Sequence, residues 1–400
     1  MPVRQPLPPH PLLQTQREEP ERPFIPPDID YEDEDEEEER EREQRANDTE
    51  DTEDESEMAP HDIPRGPPPK QAIPQRPQRP QKQELIPLRV YKFRPSKDGW
   101  KHITLSGALP RDGRPRQAPG PRPPCTQLRI ISWNIDMSTQ QHEERLAEAL
   151  RHLESDVLAS KAGEAPPPCM ILLQEVHMHV VPYLLRHPWV RRYFAVTPFT
   201  TDKWPRDAFY GNLTLVSRML DVYDAHILHF GFNTDMERTA LCVKVRMTYP
   251  GTKERAVLAI VNTHLESLPR GAAARPKQLE LCSRFLRLKG VEGGVVAGDM
   301  NALGPGDATI GKDFGLRDAW RRGNGDERGV TWGFQGQNEG QHPPNRLDKI
   351  YYLPGMRYKV DEPRRIGIGL KIGEGRDALW VSDHYGLDTT LHMKERSQSS

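Results

Sequence analysis

Six short hydrophobic runs, each bounded by an acid, an asparagine or a histidine, constrain this chain more than any other feature. In order they read ISWNID (131–136), MILLQEV (170–176), AIVNTHLES (259–267), VVAGDMNA (295–302), RLDKIYYL (346–353) and WVSDHYGL (380–387). A β-branched run that stops at a polar side chain reads as a buried strand delivering that side chain to a sheet edge. Together the six predict one common edge carrying Asn134, Asp136, Glu175, His264, Asp299, Asn301, Asp348, Asp383 and His384. Oxygen donors and two imidazoles, with no cysteine among them, suit a hard divalent cation and phosphate chemistry.

The segments between these runs predict the rest of the architecture. QQHEERLAEALRHLES reads as an amphipathic helix with Leu146, Leu150 and Leu153 on one face. PKQLELCSRFLRLK reads as a second, opened by Pro276 and presenting Leu279, Cys282, Phe285 and Leu286 together. VVPYLLRHP is helical in pattern, whereas YFAVTPF, GNLTLVSR, AHILHF, TALCVKVRM and GLDTTLHM are strand-like. Mixed strand runs with interspersed helices predict an α/β fold, a four-layer sandwich of two packed mixed sheets flanked by helices, preceded by a long disordered N-terminal region.

Composition sets the expected boundaries. Of 40 prolines, 25 precede Cys125; residues 28–57 hold 19 acids against three arginines, and residues 58–124 carry a net charge of +10. We expect residues 1–87 to be disordered, an acidic tract followed by a Pro/basic linker. Residues 88–106 read as a hairpin or arm packing on the main domain, 107–124 as a second Pro/Arg linker, 125–394 as the catalytic domain and 395–400 as a tail. The acidic tract is a solvated spacer or a tail that binds a basic protein. Opposed charge blocks around a mildly basic domain point to nucleic acid or another polyanion. Four scattered cysteines argue for a reducing compartment and against a disulfide framework or a zinc site. With no apolar run long enough for a bilayer and no continuous apolar signal segment, we expect a soluble intracellular monomer without a membrane partner.

The chemistry of each polar residue can be assigned from its type. Mg²⁺ binds through one or two carboxylates while keeping waters and substrate oxygens. Glu175 is the expected inner ligand, with Asp383 joining directly or through water and Asn134 beside them. Asp299 and Asn301 are two apart, so an extended chain would point both the same way; the same spacing joins Asn134 to Asp136. His264 and His384 suit the phosphate, with Asp348 pairing His384 and fixing its tautomer. Ser267 offers a hydroxyl to a non-bridging oxygen, leaving Asp299 as general base. Arg238 faces substrate phosphates or is an ordinary surface arginine, and Trp332 is core or a stacking surface. A lone Asp after a strand is commonly a turn former or helix cap. The ordered set of six motifs is what argues for chemistry.

These motifs resemble those of the endonuclease/exonuclease/phosphatase superfamily from about 128 to 392. Within it the chain is most similar to the type-2 tyrosyl-DNA phosphodiesterases. That similarity rests on Trp133 before Asn-Ile-Asp, HLES at 264–267, Arg275, Gln278–Leu279, DAW at 318–320, TW at 331–332 and SDHYGL at 382–387. Apurinic-site endonucleases and deoxyribonuclease I share the general acids but not the HLES stretch. The resemblance implies a Mg²⁺- or Mn²⁺-dependent phosphodiesterase acting on nucleic-acid ends, with a 5′-tyrosyl-DNA ester in repair as its substrate. It implies metal binding by Glu175 with Asp383, water activation by Asp299, and phosphate contacts from Asn134, His264, Ser267, Asn301 and His384. Action on DNA ends favours the nucleus over the cytoplasm. Two positions depart from the family pattern: Met137 stands where a glycine is common, and Ala302-Leu303-Gly304 where an arginine is usual. Other substrates of the same fold are an RNA 3′ end, an abasic strand, an inositol phosphate or sphingomyelin. A non-catalytic scaffold is the reading from another class, and the intact motif set argues against it.

Overall fold

In the computed structural model the described residues are 82–107, 124–160, 164–322, 326–336, 339–340 and 342–395. The acidic tract and the basic linker expected before residue 82, most of the linker at 107–124 and the tail beyond 395 lie outside them. The chain opens with β1 (Glu84–Pro87), β2 (Tyr91–Arg94) and β3 (Gly99–His102). It continues through β4 (Gln127–Asn134), α1 (His142–His152), β5 (Cys169–His177), α2 (Val181–Arg186), α3 (Pro188–Tyr193) and β6 (Phe194–Thr197). Next come β7 (Tyr210–Ser217), β8 (Asp221–His229), β9 (Thr239–Thr248), β10 (Arg255–His264), α4 (Ala274–Phe285) and β11 (Gly294–Asp299). The last elements are α5 (Ile310–Asp313), β12 (Arg317–Asp318), β13 (Asp348–Tyr352), β14 (Tyr358–Val360), β15 (Arg364–Ile366), β16 (Lys371–Ile372), β17 (Leu379–Trp380) and β18 (Gly386–Met393).

Two large mixed sheets form the centre. One runs β1-β8-β9-β10-β11-β13-β12, with β10 and β11 parallel. The other runs β14-β18-β4-β5-β7-β6-β2-β3, with β4 and β5 parallel and β15 also paired to β18. The continuous apolar runs of the sequence follow from this arrangement, since a strand covered on both faces has no wet side to alternate toward. Ile130, Leu172, Leu215, Val243, Ile260 and Val295 lie in one core that also takes Leu146, Leu150 and Leu153 from α1. A second core lies on the far side of the first sheet, where Leu279, Cys282, Phe285 and Leu286 of α4 meet Val261 and Val296. The helix faces expected from the sequence are thus the buried faces.

The two sheets are also joined by a buried polar link. Gln174 Nε2 donates to Asn262 Oδ1 at 2.8 Å, and Asn262 Nδ2 donates to the carbonyls of Leu173 and Leu213, each at 3.1 Å. A network whose amide donors are all paired in this way fixes how one sheet sits on the other, because any sliding would strand those buried donors.

The N-terminal arm differs from expectation at one end. Glu84–Pro87, placed by composition in the extended linker, instead pairs antiparallel with β8, Leu85 opposite Leu228. Three residues on, β2 and β3 form an antiparallel hairpin that extends the other sheet beyond β6. Leu88 and Val90, between them, are buried. Three residues, Leu88, Arg89 and Val90, thus carry the chain from the margin of one sheet to the margin of the other.

Candidate active site

Three neighbouring strands of the first sheet end at the same level. His264 of β10 is opposite Asp299 of β11, which is opposite Asp348 of β13. Gly298 makes this possible: its φ is +148°, and a Cβ there would lie 1.8 Å from the Thr263 carbonyl oxygen. The facing edge of the other sheet supplies Asn134 at the end of β4 and Glu175 near the end of β5.

Glu175 does not arrive by simple alternation. The ladder between β5 and β7 shifts register between Leu173 and Val176, and Glu175 has φ +54°. Such a bulge re-aims one side chain at the cost of local backbone strain. The carboxylate is then held by the Asn134 amide (Nδ2 to Oε1, 3.0 Å) and the Met137 backbone N–H (to Oε2, 3.0 Å). Asn134 Nδ2 also donates to Asp299 Oδ2 at 3.1 Å, while its Oδ1 accepts the Asp136 N–H. The amide is therefore oriented with its donor end toward two carboxylates. Placed so, Asn134 separates and holds the acids expected to carry the metal.

The expectation for Asp136 is corrected. Its carboxylate accepts from Ser138, Thr139 and Arg145, so the expected substrate contact is not what the side chain makes. Arg145, 2% exposed, donates also to the carbonyls of Ile135, Asp136, Thr139, Trp380 and Val381. It ties the ISWNID loop to the segment just before Asp383. The predicted helix stripe contained the signal: Arg145 stands four residues before Ala149 and eight before Leu153.

The chain does not stay extended after Asp299 either. Asn301 has φ +46°, and its N–H donates to Asp299 Oδ1 at 2.8 Å, a tight turn closed by the acid itself. Its side chain donates to the Leu265 carbonyl at 3.0 Å. Asn301 is thus brought to the site by a turn rather than by strand alternation.

The two histidines are oriented in opposite ways. Arg238 Nη1, a donor only, contacts His264 Nδ1 at 3.0 Å and Tyr210 OH at 2.8 Å. His264 Nδ1 must therefore accept, leaving the proton on Nε2, which faces Asp299 Oδ2 at 3.3 Å and Glu175 Oε1 at 3.9 Å. His384 Nδ1 meets Asp348 Oδ2 at 2.7 Å, and its Nε2 lies 3.8 Å from Asp299 Oδ2 and 3.9 Å from Asp383 Oδ1. Burial works against a charged ring, and the carboxylates of Asp348, Asp383 and Asp299 outweigh it, holding His384 well above the usual imidazole range. Burial would likewise raise Asp299, yet His264 and His384, with hydrogen bonds from the His264 ring and the Asn301 N–H, hold its carboxyl well below the usual range. Loss of hydration, with the charges of Asp136 and Glu175, pushes Asp383 up to about 6 against the pull of His384.

The remaining expected residues surround this centre. Trp332, half-buried, donates through Nε1 to Asp383 Oδ2 at 3.0 Å and stacks on His342 with ring centroids 6.0 Å apart. Ser267 is half-buried three residues beyond His264, followed by Leu268 at φ +64°. Its neighbour Glu266 is a strut, accepting from Thr234 Oγ1, the Asp235 N–H and Gln278 Nε2. Arg275 grips Asp307 through two nitrogens and the carbonyls of Glu266 and Leu268 through a third. Much of the HLES similarity is therefore structural. Tyr210, Arg145 and Gln174 are the residues of this centre that the motif reading passed over.

Two sets of side chains bring metal-ligand atoms within 4.8 Å of one another: Glu175, His264 and Asp299, and Asp299, Asp348 and His384. The donor chemistry favours a hard cation on the carboxylates, since His264 carries its proton on the nitrogen facing the centre and His384 is held in its charged form.

A two-sheet sandwich with carboxylates and imidazoles converging at one strand edge defines a phosphoester-hydrolase architecture. The sequence profile described as the Endonuclease/Exonuclease/phosphatase family matches residues 131–384, and the chain belongs to that family, whose members hydrolyse phosphoesters. Among solved structures, a humanised TDP2 from D. rerio carrying 14 mutations is 21% identical, covering 67% of this chain and all of that one, with a TM-score of 0.51. This likeness establishes the shared fold. A truncated TDP2 from Caenorhabditis elegans is 23% identical over 66% of this chain and 97% of its own, with a TM-score of 0.49. ANGEL2, a 2′,3′-cyclic phosphatase solved with adenosine-2′,3′-vanadate, is 12% identical over 67% and 96%, also at 0.49. No curated protein sequence matches the chain. Among the described residues no helix is long and apolar enough to cross a membrane.

Proposed function

We propose that the chain is a divalent-metal-dependent phosphodiesterase acting on nucleic-acid ends, and that it releases a tyrosyl group from a 5′ phosphate of DNA. The observation that carries this reading is the position of Asp299 between two imidazole nitrogens, His264 Nε2 at 3.3 Å and His384 Nε2 at 3.8 Å. An ionised acid flanked by two donors is suited to hold an attacking water and a phosphoryl oxygen at once. The motif similarity to type-2 tyrosyl-DNA phosphodiesterases supports the choice of ester.

Mg²⁺ or Mn²⁺ would be held by Glu175, with Asp383 joining directly or through water, and would supply a Lewis acid to a non-bridging oxygen. Asp299 orients the water and takes one of its protons as the new P–O bond forms. His264 and His384 donate to the oxygens on which charge grows. Asn134 and Asn301 keep the acids in place, and Ser267 adds a hydroxyl at the rim. The P–O bond to tyrosine breaks in line, and the departing phenolate leaves on the side of Arg238 and Tyr210. Trp332 offers a face to a base. Work on DNA ends favours the nucleus over the cytoplasm as its place of action.

The test compares wild type with Asp299→Asn on a 5′-phosphotyrosyl oligonucleotide in Mg²⁺, beside an abasic duplex and an RNA 3′ end. Tyrosine release by wild type alone is the expected result. Cleavage of only the abasic or RNA substrate would move the chain to another branch of its family.

A further inference from the structure

The candidate centre has two unlike flanks. In the segments either side of Asp383 and His384, and in β15 and β16, aromatic side chains carry cations: Phe334 stacks on Tyr385, Arg365 lies 5.2 Å over the Tyr385 ring, and Lys371 lies 3.8 Å over Trp380. Stacking faces beside fixed positive charge are what a nucleic-acid strand requires. On the side of β7 and the turn between β8 and β9 the character reverses. A cavity of about 690 Å³ opens there, with His264 and Met137 at its inner end.

Its walls are apolar and aromatic, from Phe209, Tyr210, Phe232 and Met236. Phe209 is 47% and Phe232 61% exposed, unusual for rings of this size unless something covers them. Its lip is acidic, formed by Asp207, Asp235 and Glu237. Among the described lining residues the one side chain with a permanent positive charge is Arg238, which is held by His264 and Tyr210. Arg238 is 6% exposed and its Nε has no hydrogen-bond partner, so a buried donor remains unsatisfied at the inner end. Burial, with the charge of Asp207, raises the Glu237 carboxyl.

Three carboxylates at the mouth repel a phosphate backbone, so the polyanion leaves by the other flank. We propose that this cavity receives the substituent on the far side of the phosphate from the nucleic acid, and that its lip selects a tyrosyl peptide flanked by lysine or arginine. The aromatic walls take the ring, and Asp207, Asp235 and Glu237 pair with the flanking cations. The inference rests on the tyrosyl-ester reading above and adds the class of leaving group.

Two labelled tyrosine peptides, one flanked by arginines and one by glutamates, test it by fluorescence anisotropy with the full chain. The basic peptide is expected to bind roughly three- to tenfold more tightly, as a few screened ion pairs allow, and the margin should shrink in high salt. Asp207→Asn combined with Glu237→Gln should abolish the preference while leaving hydrolysis of the p-nitrophenyl ester of thymidine 5′-phosphate unchanged. Equal binding of the two peptides, or a preference that survives the double variant and Asp235→Asn, would overturn the proposal. Both peptides are then tested as 5′-phosphotyrosyl esters. A preference in binding with no tyrosine release from either ester would remove the reading of the reaction and leave the charge-selective cavity standing.

Discussion

Arg238 donates to Nδ1 of His264 across 3.0 Å, and this contact decides which nitrogen of the ring carries the proton. A guanidinium has no acceptor, so the ring can satisfy it only as the Nε2–H tautomer. His264 is thereby made a donor toward Asp299 instead of a metal ligand. Arg238→Lys keeps the charge but loses the planar fork. The expected outcome is a fall in kcat of about 10²-fold with little change in thermal stability, the scale of a misplaced acid–base group. Steady-state kinetics and the ring-nitrogen shifts of His264 in NMR check it together.

Asp348 is buried and bonded to His384 at 2.7 Å, so the ring depends on it for orientation as well as for charge. Asp348→Asn retains the shape and removes the charge. We expect single-turnover rates to drop by about 10²- to 10⁴-fold. An unchanged rate in a folded variant would detach His384 from the chemistry.

Glu175 is the acid with the strongest claim on a cation. Glu175→Gln should weaken Mn²⁺ binding, read by paramagnetic resonance, on the order of 10- to 100-fold or more. EDTA should abolish wild-type hydrolysis, and added Mg²⁺ should restore it. Full activity of the variant in Mg²⁺ would move the metal elsewhere.

Lys349 follows Asp348 in β13 but lies on the opposite side of the sheet, 1% exposed, with its Nζ 3.4 Å from the Asp307 carbonyl oxygen. Burial lowers its pKa from 10.5 to about 8, the nearby Arg346 adding to the effect. Between these values the unfolded chain binds the proton and the folded chain does not, so this residue's contribution to stability rises with pH across that window. Below about pH 8 the charge is present in both states and the folded state carries the penalty. Lys349→Met removes the titration. The stability difference, wild type minus variant, should therefore rise by up to about 3 kcal/mol from pH 8 to 10.5. Urea melts at several pH values measure it.

The strand set and the apolar helix faces were legible because burial on both sides leaves a simple mark: β-branched runs such as ILLQ and AIVN have no polar alternation to confuse them. The polar residues at their ends were legible as a group for the same reason. Their individual geometry was not. Asn134, Asp136 and Asn301 were read by the period of an extended strand, whereas backbone turns with φ of +54° at Asp136 and +46° at Asn301 intervene. Left-handed residues other than glycine carry little local signal, since the surrounding fold imposes them. Tyr210 and Arg145 were passed over because each acts through a contact far away in sequence, 28 residues to Arg238 in one case and 236 to Val381 in the other.

The placement of β18 has a consequence for how this protein is made. Leu387 pairs with Ser132, so the strand that completes the centre of its sheet is synthesised long after the strand it pairs with. Until it emerges, β4 has one bare edge, and neither His384 nor its alignment with Asp348 exists. At ribosomal speeds of roughly 5–20 residues per second, that interval is on the order of ten to fifty seconds. A nascent chain during this time is inert and adhesive, exposing β4 to any other strand. The His384–Asp348 pair can form only after β18 has emerged, and through the same delay the bare edge of β4 needs shielding from other strands.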